Sequence, residues 1–298
     1  MISLKQLVYA LAVEDNLHFK KAADQCSVSQ SALSTAITEL EKQLGAQIFE
    51  RDNKMVLVTA FGGQFLQRAR AIKLQMDDLY NLAQAQHSPL SYPLSMGVIP
   101  TIGPYLLPKV LPSVRSRYPD FPLRIVEDQS HVLADQVRNG ELDTAILALP
   151  YPLEGLLAFE FWQENFSWVT HASDAHAGQK EITSAELKEA RLMLLKDGHC
   201  LKDHALAACR LQPSETDDSL SATSLYTLVQ MVAGKMGSTL VPEMALKALL
   251  SDSTELKAVA LSDSGPHRRI AFITRPNYIG VNNIELLRTL FRECLLTN

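Results

Sequence analysis

Val28-Ser29-Gln30-Ser31-Ala32-Leu33-Ser34-Thr35-Ala36-Ile37-Thr38-Glu39-Leu40-Glu41-Lys42-Gln43-Leu44-Gly45 decides how the rest of the chain is read. Ser29 is a good helix N-cap, because its hydroxyl can accept from the free backbone N–H groups of the first turn. Within that helix Leu33, Ile37, Leu40 and Leu44 form an inward apolar stripe, and Ser31, Ser34, Thr35 and Thr38 form a continuous polar one. An ordinary surface helix carries long charged side chains on such a face. Short hydroxyls, with Gln30 at the N-terminal end, leave room for a DNA backbone and base edges, as a recognition helix in the major groove requires.

Upstream, Leu4, Leu7, Val8 and Leu11 recur at helical spacing, and Phe19, Ala22 and Ala23 share one face of a second helix whose alanines allow close approach. Cys26-Ser27-Val28 is the break between that helix and the third. Downstream, residues 48–59 read as two short strands around a polar turn, which is a wing. Residues 1–60 are thus expected to be a winged helix-turn-helix that binds double-stranded DNA through Gln30, Ser31, Ser34, Thr35, Thr38, Arg51 and Lys54. Charge does not carry that expectation, since these residues hold six Lys/Arg against seven Asp/Glu and the whole chain has a net charge of −5.

From residue 61 to 88 the chain reads as a linker helix. Phe65, Ala69, Ile72, Met76 and Leu79 alternate spacings of four and three, the period of a coiled-coil seam, so a dimerising role is expected. His87-Ser88-Pro89-Leu90-Ser91-Tyr92-Pro93 ends the helix, because proline removes a donor and disfavours helix in the residue before it.

Residues 89–298 alternate short β-rich runs with amphipathic helices, which predicts an α/β domain with mostly parallel sheets. Strands are expected at 94–99, 123–127, 144–149, 167–171, 192–195, 238–241 and 269–274. Helices are expected at 105–118, 132–139, 224–233 and 283–296. The 298 residues, 47% hydrophobic and 20% charged, have a globular composition, and no run is long enough to span a bilayer. Met1-Ile2-Ser3-Leu4-Lys5 does not open an export signal, so a cytoplasmic protein is expected and an exported solute-binding protein is disfavoured.

Four cysteines, Cys26, Cys200, Cys209 and Cys294, are too few and too scattered for a disulfide scaffold, and no metal-ligand spacing occurs. No cofactor is expected. Asp197-Gly198-His199-Cys200-Leu201-Lys202-Asp203-His204 sets one cysteine beside a histidine and a lysine, a context that favours thiolate, while Cys209 follows nine positions later. On spacing alone, two buried inert thiols are the better description of this pair. Cys26 and Cys294 lack that context and read as small structural hydrophobes. His131 reads as a surface or hinge residue.

Phe19-Lys20-Lys21-Ala22-Ala23, Val28 to Ser34, Ile37-Thr38-Glu39-Leu40-Glu41, Leu44-Gly45 and Phe49-Glu50-Arg51, taken in order, resemble the LysR-type regulators. Ser31 stands where that family often has proline, and the wing is less basic than usual. Leu195 to Asp203 with Cys209 and Ala222-Thr223-Ser224-Leu225 resembles the peroxide-sensing members of the family. So do residues 97–108 and Gly140-Glu141-Leu142-Asp143 with Ala145 to Leu149.

The resemblance implies a periplasmic-binding-protein-like regulatory domain of two α/β subdomains, 89–163 plus 269–298 and 164–268, with the chain crossing near 163 and returning near 268. It implies that Cys200 reacts with hydrogen peroxide and that Cys209 resolves it to a reversible disulfide. Thr101, Ser130, His199, Lys202, Asp203 and Arg268 would support that site, Ser130 replacing the family's threonine and Lys202 an arginine. The implied function is control of antioxidant genes by a dimer or tetramer acting on promoter DNA and RNA polymerase, reset by a thiol reductant. The alternatives are a regulator sensing a small organic effector in the cleft and, in another class, a thiol peroxidase-like enzyme.

Overall fold

The computed structural model describes residues 1–52, 55–85, 89–196, 198, 200–210, 222–251 and 253–297, in two compact units, Met1–Gln86 and His87–Asn298. The first unit begins with α1 (Leu4–Asn16), α2 (Phe19–Gln25) and α3 (Gln30–Leu44). Each start is capped: Ser3 and Gln6 form a capping box, His18 Nδ1 accepts from the Lys20 and Lys21 amides, and Ser29 Oγ accepts from Ala32 N at 3.2 Å. Leu7, Ala10, Val13, Ala22, Leu33, Ile37 and Leu40 are buried together. The antiparallel hairpin of β1 (Phe49–Asp52) and β2 (Met55–Val58) follows, with Phe49 opposite Val58. Glu41, near the end of α3, accepts from Ile48 N at 2.9 Å and Phe49 N at 3.1 Å, fixing the hairpin to the third helix.

The 26-residue α4 (Ala60–Ala85) spans about 39 Å at 1.5 Å per residue. Its residues do not all serve one seam. Leu66 and Ala69 are buried in the core of the first unit and Phe65 packs against it, so the first half of the expected seam is intramolecular. Ile72 and Leu79 are 47% and 62% exposed, and Met76 is half-buried. Among the described residues, the later positions of the expected seam are the ones left exposed.

The second unit starts with β3 (Leu94–Val98), α5 (Gly103–Arg117), β4 (Leu123–Glu127), α6 (Ser130–Asn139), β5 (Thr144–Leu149) and β6 (Leu157–Glu164). The chain then leaves this lobe for β7 (Phe166–His171), β8 (Glu181–Ile182), α7 (Ser184–Glu189), α8 (Cys200–Cys209), α9 (Leu225–Ala233), β9 (Thr239–Pro242), α10 (Glu243–Leu250) and β10 (Leu256–Leu261). It returns through β11 (Arg268–Thr274) and ends with α11 (Val281–Thr297).

One sheet has the order β4-β3-β5-β11-β6 and the other β8-β10-β7-β9. Only β4, β3 and β5 are mutually parallel, together with the short β8·β10 pair, while β11 runs antiparallel to both β5 and β6. The expectation of mostly parallel sheets therefore fails. The crossing strand β6 and the returning strand β11 lie side by side, and that arrangement makes them antiparallel. The strand expected at 192–195 reduces to two isolated bridges, Leu192 to Ser238 and Leu195 to Ala222. Among the described residues no helix is long and apolar enough to cross a membrane.

Candidate functional site

The parallel strands β3, β4 and β5 deliver three chain segments to one edge of their sheet. Just beyond their carboxyl ends stand Thr101, Ser130 and Pro150, in the position where open α/β sheets bind ligands. Thr101 and Ser130 are both 2% exposed. The second lobe contributes α8, whose first residue, Cys200, is buried with the hydroxyl of Ser130 and the backbone of Ala148 beside it. Ser130 Oγ has no hydrogen-bond partner of ordinary geometry among the described residues. A buried hydroxyl left in that state is poised to bond a ligand.

Arg268, at the start of β11, is 1% exposed. Its Nη1 donates to Thr101 Oγ1 at 3.3 Å and its Nη2 to the Thr101 carbonyl at 3.1 Å. It is balanced by Glu164 at the end of β6, with Nε 2.8 Å and Nη2 2.7 Å from Glu164 Oε1. The other oxygen of Glu164 accepts from Met244 N at 2.7 Å, at the start of α10. Glu164 thus joins the returning strand of the first lobe to a helix of the second.

Burial pushes the Cys200 thiol above its ordinary pKa, against the opposing pull of Ser130, of the Arg268 charge and of the Ala148 backbone. Among the described residues Arg268, far along the chain, is a cation acting on Cys200, and Asp203 works against the thiolate. Cys209, at the other end of α8, is fully buried, and its thiol is pushed up to about 12 by burial and the Asp263 charge. All four cysteines are free thiols, Cys294 buried and Cys26 half-buried.

Of the other residues singled out from sequence, Lys202 is half-buried, and Asp203 and His131 are exposed. His199 and Lys54 lie outside the described residues, as does the side chain of Arg51. On α3, Gln30, Ser31, Thr35 and Thr38 are exposed and Ser34 is half-buried, so the face remains open to a partner. Three residues in and around the site were missed. His204 Nε2 donates to Pro150 O at 2.8 Å. Gln129 packs beside Gly198, where a Cβ would lie 2.4 Å from Gln129 Oε1, and the φ of +94° at Gly198 favours glycine. Glu164 is the third. Among the described residues no group of three or more His, Cys, Asp or Glu could hold a metal ion.

Residues 4–63 match the family described as bacterial regulatory helix-turn-helix protein, LysR family, and residues 87–295 match the LysR substrate binding domain. The chain is 38% identical over 273 residues to the HTH-type transcriptional regulator EstR of Acinetobacter baylyi, covering 92% of this chain and 90% of that one. It is 37% identical over 294 residues to a probable hydrogen peroxide-inducible genes activator of Streptomyces viridosporus, covering 98% and 94%. A full-length OxyR from Pseudomonas aeruginosa carrying a Cys-to-Asp substitution is 33% identical, with a TM-score of 0.82 over 99% of both chains.

Proposed function

The chain belongs to the LysR family of bacterial regulatory proteins, and from that premise we propose that it is a transcriptional regulator switched by hydrogen peroxide through Cys200 and Cys209. One observation carries the reading: two free thiols occupy the two ends of one helix, and the first lies against the buried hydroxyl of Ser130. Similarity to a peroxide-inducible activator and to OxyR over nearly the whole chain supports it.

Peroxide entering beside Cys200 is met by the Ser130 hydroxyl and by the Arg268 and Thr101 pair. The Cys200 thiolate sulfur attacks one peroxide oxygen, the O–O bond breaks, and the departing hydroxide takes a proton to become water, leaving a sulfenic acid. The Cys209 thiolate then attacks the Cys200 sulfur, the S–O bond breaks, and a second water leaves. Two thiols and one peroxide give one disulfide and two waters. A thiol reductant reverses the change.

The helix controls the second step. Nine steps of 1.5 Å separate the two Cα atoms by roughly 13.5 Å, whereas a disulfide needs them within about 7 Å. α8 must therefore unwind. Until it does, burial keeps the Cys209 thiol protonated and a poor nucleophile. Unwinding alters the lobe surface and with it the pairing of protomers in a dimer or tetramer, so that the heads engage promoter DNA at a different spacing. Gln30, Ser31, Ser34, Thr35, Thr38, Arg51 and Lys54 contact that DNA, and RNA polymerase is the partner at controlled antioxidant promoters. Peroxide is consumed as a signal, not turned over as a substrate, in the cytoplasm.

The test treats purified protein with stoichiometric peroxide, maps disulfides by mass spectrometry and footprints promoter DNA in both states. A Cys200–Cys209 disulfide and a shifted footprint, both abolished by Cys200→Ser, are expected. An unchanged thiol count with a footprint that responds only to a bound metabolite would point to a small organic effector.

A further inference from the structure

Resting on the reading of α8 as the redox switch, we propose that His204 is a positioning residue whose hydrogen bond across the cleft latches α8 in its helical form and makes the switch pH-sensitive. His204 lies between the two cysteines and is only 3% exposed. Its partner, the Pro150 carbonyl 2.8 Å away, belongs to the opposite lobe just past β5. A carbonyl only accepts, so Nε2 carries the hydrogen and Nδ1 is the bare lone pair. Nδ1 is buried and has no partner among the described residues.

That arrangement suits the neutral imidazole alone. A proton on Nδ1 would leave a buried N–H without an acceptor and a charge in the field of Arg268. Burial accordingly holds the imidazole below its ordinary pKa; the Pro150 carbonyl opposes this, Arg268 adds to it, and Asp203 opposes it. Among the described residues, Arg268 on β11 and Asp203 on α8 are the charged groups acting on it.

Closing the disulfide unwinds the turn that carries His204, so the ring leaves Pro150 for water and titrates near its ordinary pKa of about 6.5. The reduced helical form has the depressed pKa and binds fewer protons. Its advantage is complete above that ordinary value and is lost as pH falls below it, so acid shifts the balance toward the disulfide.

The full-length protein is equilibrated from both redox directions in a glutathione buffer at pH values from about 5.5 to about 7.5, quenched with acid, and its disulfide fraction measured by mass spectrometry. Glutathione titrates near pH 8.5 and burial holds both thiols of the reduced protein higher, so a switch without His204 gives an almost flat profile over this range. The wild type should show an oxidised-to-reduced ratio several-fold higher at the acid end, with about tenfold as the ceiling for one imidazole over this range. His204→Gln, a neutral donor, should keep the neutral-pH ratio within about twofold of wild type and flatten the profile. His204→Leu, with no donor, should also be flat but several-fold more oxidised near neutrality.

A wild-type profile as flat as that of His204→Gln overturns the latch, and so does a His204→Leu ratio equal to wild type near neutrality. The wild-type profile decides the matter even where the leucine variant does not fold. Failure of the peroxide reading looks different: no Cys200–Cys209 disulfide forms in any variant at any pH, and the latch falls with it.

Discussion

At Cys200 two effects oppose one another, and their balance sets reactivity. Burial disfavours the thiolate and outweighs the Arg268 charge that favours it, so reaction with peroxide should quicken as pH rises through neutrality. Removing the cation should move that rise to higher pH. Arg268→Ala is a poor probe, because it leaves Glu164 buried and unpaired, a loss of about 3–5 kcal/mol. The double variant Arg268→Gln with Glu164→Gln avoids a lone buried charge and keeps hydrogen bonding; stopped-flow oxidation of its Cys200 across pH should show the displaced rise. On α3, Gln30→Ala should weaken operator binding by about 1–3 kcal/mol while sparing binding to random DNA, as base-edge contacts do, and competition binding at fixed salt measures both. Little of the candidate site could be read from these residues locally. Thr101 and Arg268 hydrogen-bond across 167 residues of sequence, and a periodicity argument has no reach over such a gap. Glu164 gave no local signal either, since its two partners come from β11 and α10.

At the scale of elements, the proposed disulfide requires α8 to melt, so its intrinsic propensity is a control. Ala207 is exposed and makes that propensity accessible without disturbing the core. Ala207→Gly should destabilise the helical form by about 1 kcal/mol and shift the glutathione-buffered equilibrium roughly fivefold toward the disulfide, with faster amide exchange confined to α8. α3 was legible because its two stripes are long, clean and capped. α8 was not, since buried Cys200, Leu201, His204, Ala205, Leu206 and Cys209 leave no sharp polar face. β6 was missed for the converse reason. As the edge strand of its sheet it carries Glu160, Gln163 and Glu164 among aromatics, so alternation breaks down. Residues 192–195 misled because buried loop and buried strand share an apolar composition.

For the whole molecule, we propose that the exposed Ile72 and Leu79 on α4 pair with a second copy, while Phe65, Leu66 and Ala69 of that helix are committed to its own head. Ile72→Glu with Leu79→Glu should lower the mass seen by analytical ultracentrifugation and weaken DNA binding at least tenfold, leaving the thermal unfolding of the isolated protomer nearly unchanged. The coarse architecture, a head, a linker helix and an α/β domain, follows from the order of periodicities along the chain. The interleaving of β11 between β5 and β6 does not, because it depends on a return of the chain that no local pattern encodes.

The Glu164–Arg268 pair, with side chains 1% and 0% exposed, sits where the two connecting strands lie against each other. Counter-ions screen charges that water can reach and hardly touch those sealed from it. Grip on DNA by the heads will fall steeply as ionic strength rises, whereas the field that Arg268 lays on Cys200 will not. An osmotic shock that loads the cell with salt would thus loosen the regulator from its promoters and leave its sense of peroxide unaltered.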